Sequence, residues 1–160
     1  MTITYRPIGS IHTPFTTLDG MPIQSSGAAD VKGTVILDPQ YEAGLKDLEG
    51  FSHLILIYHF HISKGFRLTV TPFLDSVERG LFATRAPRRP NPIGLSIVRL
   101  TGIHGPVLEV RDVDMLDGTP LLDIKPYVPD FDAYPDSRAG WLDERRSERT
   151  EADSRFHESE

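Results

Sequence analysis

Leu54-Ile-Leu-Ile-Tyr58 is the longest apolar run in the chain, and it has the length of a strand rather than of a helix. A continuous run of this kind predicts a strand buried on both faces. Working outward, the apolar residues keep mostly a period of two. Gly33-Thr-Val-Ile-Leu37, Phe66 to Val70, Gly94 to Leu100, Val107 to Val110 and Leu121 to Ile124 read as further short strands. Ile3, Tyr5, Ile8 and Ile11 suggest a first strand interrupted by Pro7, hence an edge or bulged one. Turn signals separate the strands: Gly102 to Pro106, and Asp117-Gly118, a hairpin dipeptide. One helix start is visible, with Asp38 as cap, Pro39 at the first position, and Tyr41, Leu45 and Leu48 at helical spacing up to Gly50. Many short strands and one short helix predict an all-β, barrel-like domain. Strands and helices do not alternate and no GxGxxG is present, which argues against a Rossmann fold.

The chain has 160 residues, enough for one core, and 13 each of Gly and Pro favour turns over long helices. The expected organisation is a compact domain over 1–135 and a charged tail over 136–160, in which Trp141 and Leu142 open a short helix. The absence of cysteine removes disulfides, thiolate nucleophiles and Cys-ligated metals. MTITYRPIGS has neither a basic region nor an apolar one of the signal-peptide kind, and no apolar run approaches a membrane span, so a cytoplasmic protein is expected. A net charge of −6 argues against an extended phosphate-binding surface and leaves room for a local basic site.

Three constellations are candidates for chemistry. In Gly80-Leu-Phe-Ala-Thr-Arg-Ala-Pro-Arg-Arg-Pro-Asn-Pro-Ile-Gly-Leu-Ser96, the prolines stiffen a loop that holds Arg85, Arg88 and Arg89, and guanidinium forks suit carboxylates, phosphates and base faces. Its alternative reading is a Pro-rich surface connection with solvated arginines. In Met115-Leu-Asp-Gly-Thr-Pro-Leu-Leu-Asp-Ile-Lys-Pro-Tyr127, Asp117 and Thr119 can shape a turn or hydrogen-bond a ribose or an amino group, and Asp123, Lys125 and Tyr127 alternate onto one strand face. His53, His59 and His61 share a parity, but no HExxH or carboxylate at ligand spacing accompanies them, so no metal site is expected. Hydrolase motifs are absent.

Taken in order, four segments resemble the TrmO (TsaA-like) family. They are Tyr5-Arg-Pro-Ile-Gly-Ser-Ile-His-Thr-Pro-Phe15, Leu48-Glu-Gly-Phe-Ser-His-Leu54, Phe82 to Ser96, and Asp117 to Tyr127. The resemblance spans about residues 3 to 131. It implies a β-barrel that dimerises and uses S-adenosyl-L-methionine, without a Rossmann domain, to methylate N6 of N6-threonylcarbamoyladenosine at position 37, in the anticodon loop of tRNA. Carried over by position, the cofactor contacts it implies are Pro22, Ile23, Gln24, His61, Ile62, Arg85, Leu95, Leu116, Asp117, Gly118 and Thr119. Arg88, Arg89 and Asn91 are expected at the substrate, whose threonyl carboxylate needs a cation. No proton acceptor is assigned, with Asp123 and Tyr127 as candidates. Some bacterial members carry a further C-terminal domain, and the expectation here is only a charged tail. The competing reading is a non-catalytic β-barrel module that binds S-adenosylmethionine or an anionic nucleotide.

Overall fold

The computed structural model describes residues 1–19, 21, 27–73 and 75–145. Met1–Tyr127 form one compact unit and Val128–Glu160 a second. The first contains eight strands: β1 (Gly9–His12), β2 (Lys32–Leu37), β3 (His53–His59), β4 (Thr69–Val70), β5 (Arg79–Gly80), β6 (Ile93–His104), β7 (Val107–Arg111) and β8 (Thr119–Pro126). Six of them close an antiparallel barrel in the order β1-β2-β7-β6-β3-β8, while β4 and β5 pair as a separate ribbon. The expected all-β barrel is therefore present. Closure leaves none of the six strands with an exposed edge.

The core is the inner wall. Ile11, Val35, Leu54, Leu56, Val98, Leu108, Val113 and Leu121 are fully buried, with Tyr58 and Met115 beside them. Along β3 burial alternates strictly, so Leu54, Leu56 and Tyr58 point inward and Ile55 and Ile57 outward. The apolar run thus lines one core, not two. The outward pair is half-covered, and it lies opposite Ile97 and Leu95 on β6.

Other expectations change for local reasons. β1 begins only at Gly9, after Pro7, and pairs with β2 on one side and β8 on the other, so it is not an edge. The segment after Asp38 forms 3-10 turns, Pro39–Leu45 and Leu48–Gly50, instead of an α-helix. Asp47 at φ 67 separates the two turns, Asp38 makes no side-chain cap, and Leu45 is their one buried residue. Gly102 does not turn the chain: it lies at a register shift, and β6 runs on to His104 before the tight Gly105-Pro106 hairpin. The Asp117-Gly118 turn, with Gly118 at φ 76, joins β7 to β8, which are not neighbours in the barrel. It is a crossing connection, not a hairpin.

In the second unit, α1 (Pro129–Asp132) is followed by a helical turn over 141–145, as the Trp141-Leu142 pair suggested. Asp132 and Asp143 each cap their turn, accepting hydrogen bonds from the backbone of Val128 (2.8 Å) and Ala139 (2.7 Å). The tail beyond 145 lies outside the described residues, as do Pro22, Ile23 and Gln24.

Candidate functional site

Register brings the singled-out segments to one rim. Gly94 on β6 lies opposite Tyr58 on β3, Tyr58 opposite Leu121 on β8, and Leu121 opposite Gly9 on β1. The C-terminal end of β3 therefore stands beside the N-terminal ends of β6 and β8. His61 and Ile62 leave β3 there, the Arg/Pro loop enters β6 there, and Leu116 to Thr119 enter β8 there. The opposite rim carries the 3-10 segment and the Gly105-Pro106 hairpin.

Glycine at position 94 follows from packing. A Cβ there would stand 2.2 Å from the Tyr58 ring and 2.9 Å from Phe60, so Tyr58 lies directly across the backbone of the Arg/Pro motif's last turn. Tyr58 and Phe60 meet edge to face at 5.4 Å. Beneath them runs a polar chain. Ser96 Oγ donates to Asp114 Oδ1 (2.6 Å). The serine hydroxyl has one proton, so the Tyr58 hydroxyl, 2.9 Å away, is the donor to Ser96. Burial first, then the Asp114 charge, pushes the Tyr58 phenol up to about 12, against the pull of the Arg85 charge. Arg85 thus acts electrostatically on the barrel interior although its own side chain is exposed.

The β7–β8 connection is tied down by both side-chain and backbone hydrogen bonds. Thr119, buried, donates through Oγ1 to the Leu116 carbonyl (2.6 Å). Asp117 Oδ1 accepts from the Thr13 backbone (3.0 Å) and lies 3.2 Å from His12 Nδ1, while His12 Nε2 lies 2.9 Å from Ser10 Oγ. Asp117 therefore locks the end of β1 to the start of β8, and its side chain keeps two-fifths of its surface open. Ser96 and Thr119 are the polar residues buried as whole residues among those described, Thr119 at this rim and Ser96 two residues beneath Gly94.

In the Arg/Pro loop the three arginines divide. Arg89 Nη1 donates to the carbonyls of Thr84 (3.0 Å) and Ala86 (3.2 Å), and the guanidinium lies over the Phe82 ring at 5.7 Å. It frames the loop. Arg88 Nε donates to the Lys64 carbonyl (3.0 Å), joining the loop to the segment after β3. Arg85 and Asn91 are exposed, and the Asn91 carbonyl accepts from Ile93 (2.7 Å). Ile62 and Leu95 are 46% and 49% exposed, so apolar surface is open next to the cationic groups.

The histidines do not gather. His53 packs edge-on to Tyr127 at the other end of β3, and no group of three metal-ligating side chains occurs among the described residues. Asp123 sits on the outer wall opposite Ile57, ion-paired with Lys125 at 2.8 Å, and Tyr127 is far along β3. Tyr127 is thus remote from the rim, while Asp123 stands level with Leu95, across Ile57, with its carboxylate held by Lys125. Reading the sequence did not find Tyr58, Ser96 or Asp114; the one available signal was a hydroxyl-bearing residue closing an otherwise aliphatic run.

Residues 10–133 match the family described as tRNA-methyltransferase O N-terminal domain. A Pyrococcus abyssi protein described as a probable S-adenosyl-L-methionine-binding protein is 55% identical over 96% of this chain and 85% of its own length. The tRNA (adenine(37)-N6)-methyltransferase of Escherichia coli is 35% identical over 86% of this chain, which spans 63% of that protein. The crystal structure of TrmO from Pseudomonas aeruginosa superimposes with a TM-score of 0.75 at 42% identity, covering 88% of this chain and 62% of that one. With the family matched over most of its length and the same barrel in a relative of this similarity, the chain belongs to the TrmO family of S-adenosylmethionine-dependent tRNA methyltransferases.

Proposed function

We propose that this chain methylates N6 of N6-threonylcarbamoyladenosine at position 37, in the anticodon loop of tRNA, with S-adenosylmethionine as methyl donor. The observation that carries the reading is the convergence on one rim of Arg85, Leu95, His61, Ile62 and the Leu116–Thr119 turn. These residues fit the cofactor's chemistry. Arg85 suits its carboxylate, Ile62, Leu95 and Leu116 its apolar surfaces, and the open oxygen of Asp117 a ribose hydroxyl or the ammonium group. Pro22, Ile23 and Gln24 belong to the same proposed set by resemblance alone. When bound, S-adenosylmethionine supplies an electrophilic methyl group on a sulfonium.

The acceptor nitrogen is urea-like and weakly nucleophilic, so the protein's contribution is alignment and handling of the N–H proton. The rigid Tyr58–Ser96–Asp114 chain under Gly94 fixes the rim on which that alignment depends. Charge supports RNA as partner. Residues 60–92 hold six Lys and Arg against two acidic residues, in a chain whose net charge is −6. Phe66, Phe73 and Phe82 are exposed among those cations, which suits stacking on unpaired bases. Arg88, Arg89 and Asn91 are the proposed substrate contacts, Arg89 mainly by holding the loop. A tRNA substrate also agrees with a cytoplasmic location. The half-exposed strip of Ile55, Ile57, Ile93, Leu95 and Ile97 suits a second copy of the chain, giving a homodimer with the cofactor near the interface.

The test is incubation with labelled cofactor and tRNA that carries or lacks the threonylcarbamoyl group, followed by nucleoside mass analysis. Methyl on the modified adenosine alone is expected. Equal methylation of both tRNAs, or of neither, refutes the substrate assignment. Cofactor binding without any transfer would favour a binding module, which is all that the Pyrococcus protein's description names.

A further inference from the structure

Beside the rim, the β4–β5 ribbon and Arg88 enclose an open cleft of about 510 Å³, lined by Arg67, Thr69, Val70, Thr71, Glu78 and Arg88. We propose that this cleft is an oxyanion subsite for the RNA substrate, in which Arg67 and Arg88 bind the anion and Glu78 accepts a hydrogen bond from an adjacent hydroxyl. The proposal deepens the tRNA-methyltransferase reading and rests on it.

The lining is polar except for Val70, unlike the apolar pockets that hold uncharged ligands. Its walls are braced. Val70 pairs with Arg79, and the Leu81 backbone donates to the Leu68 carbonyl (2.9 Å), extending the ribbon. Asp75, whose side chain is 1% exposed, holds Arg79 at 3.1 Å and accepts from the backbones of Ser76 (2.8 Å) and Val77 (3.1 Å). One acid and one arginine of the ribbon are thus spent on its shape. Among the described residues, Arg67 and Glu78 have no ion-pair partner.

Arg88 is aimed. Its Nε donates to the Lys64 carbonyl at 3.0 Å, which tethers the guanidinium to the segment after β3 while the residue lines the cleft. A guanidinium fixed in advance loses less entropy on binding an anion. Two arginines facing one space repel unless an anion lies between them. The single carboxylate, Glu78, leaves the cleft net cationic and adds an acceptor that matches a hydroxyl beside the anion. Arg88 is three residues from Arg85, so their Cα atoms are at most about 11 Å apart. A subsite there is within reach of a base held at the rim.

Two oxyanions of the substrate qualify: the carboxylate of the threonylcarbamoyl group, which carries a neighbouring hydroxyl, and a backbone phosphate beside a ribose. The experiment uses the full chain, its Arg67→Met and Glu78→Gln variants, and fluorescent anticodon stem-loops with and without the threonylcarbamoyl group. Binding by anisotropy, methylation kinetics and S-adenosylmethionine affinity by calorimetry are measured. Arg67→Met should weaken binding of the modified stem-loop and raise KM about tenfold, as for loss of a charge-assisted hydrogen bond, with cofactor affinity unchanged. Glu78→Gln should give a smaller loss in the same direction. If the loss vanishes with the unmodified stem-loop, and free N6-threonylcarbamoyladenosine competes less well against the variant, the anion is the carboxylate. If both stem-loops lose equally and the salt slope of binding falls by about one, it is a phosphate. Unchanged stem-loop binding in Arg67→Met, or a parallel fall in cofactor affinity, overturns the subsite. Absence of methyl transfer by the wild-type chain would count against the enzymatic reading, and the binding comparison would still decide the cleft.

Discussion

The inner and outer walls of β3 and β6 are built from almost the same residues and meet different fates. Inside, Leu54, Leu56 and Val98 are fully buried, and Tyr58 and Ser96 nearly so. Outside, Ile93, Leu95 and Ile97 keep between 37% and 49% of their surface exposed, with Ile55 and Ile57 half-covered across from them. Composition alone does not distinguish the two walls. Curvature does: closing the barrel brings inner side chains together and splays the outer ones apart. The inner wall is needed for folding, and the outer one is left for something other than the fold.

The strongest challenge to this contrast uses neighbours on one strand. Leu56→Ala should cost about 2–5 kcal/mol, because a fully buried leucine leaves a cavity, whereas Ile57→Ala should cost under about 1 kcal/mol. Urea unfolding of both variants at low protein concentration measures the gap. Equal losses would mean that the outer wall is packed within the monomer.

The inner wall also contains the polar chain, and alkaline pH probes it. The Tyr58 phenol is raised from 10.0 to about 12 on folding. The neutral phenol's contribution is complete below pH 10 and is lost as pH rises toward 12, amounting to at most about 3 kcal/mol. Tyr58→Phe should remove that part of the alkaline slope. An identical slope in the variant would show that the hydroxyl is in contact with water in the native state.

Gly94→Ala comes next, at roughly 1–3 kcal/mol, since the added methyl collides with a ring that can shift only by disturbing Ser96 and Asp114. Its melting temperature should fall while the far rim keeps its hydrogen-exchange protection. A neutral effect would show that Tyr58 is free to move aside.

The strands were legible because short apolar runs bounded by turn residues are a local signal, and β2, β3, β6, β7 and β8 all fall on such segments, but the unbroken run of β3 concealed that only one of its faces is buried. The segment after Asp38 was misread because cap and spacing matched a helix, yet with only Leu45 buried there was too little packing to sustain one. The candidate site was half legible. Arg85 and Asp117 stand out by residue type and neighbours. Tyr58, Ser96 and Asp114 do not, because a tyrosine in an aliphatic run, a serine in a strand and an aspartate before a turn are each ordinary until the barrel closes around them. Asp117 shows the converse: reading it as a ligand contact was possible from sequence, but its hold on Thr13 and His12, more than a hundred residues earlier, was not.

The smallest effect on folding should come from the outer wall, and it sharpens the comparison most. Ile97→Asp places a charge opposite Ile55, on a surface 37% open to solvent. In an isolated barrel that charge stays hydrated, so unfolding should shift by only about 0.5 kcal/mol. In a dimer that buries the strip, the same carboxylate would be desolvated without a partner, and association would fail. Light scattering at micromolar concentration is expected to give twice 17.9 kDa for the wild-type chain and 17.9 kDa for the variant. A wild-type mass of 17.9 kDa would remove the dimer and leave the exposed strip unexplained. A dimeric variant would move the interface to another face. Loss of pairing at unchanged folding stability would establish that the two walls, alike in composition, serve two different associations, one within the chain and one between chains.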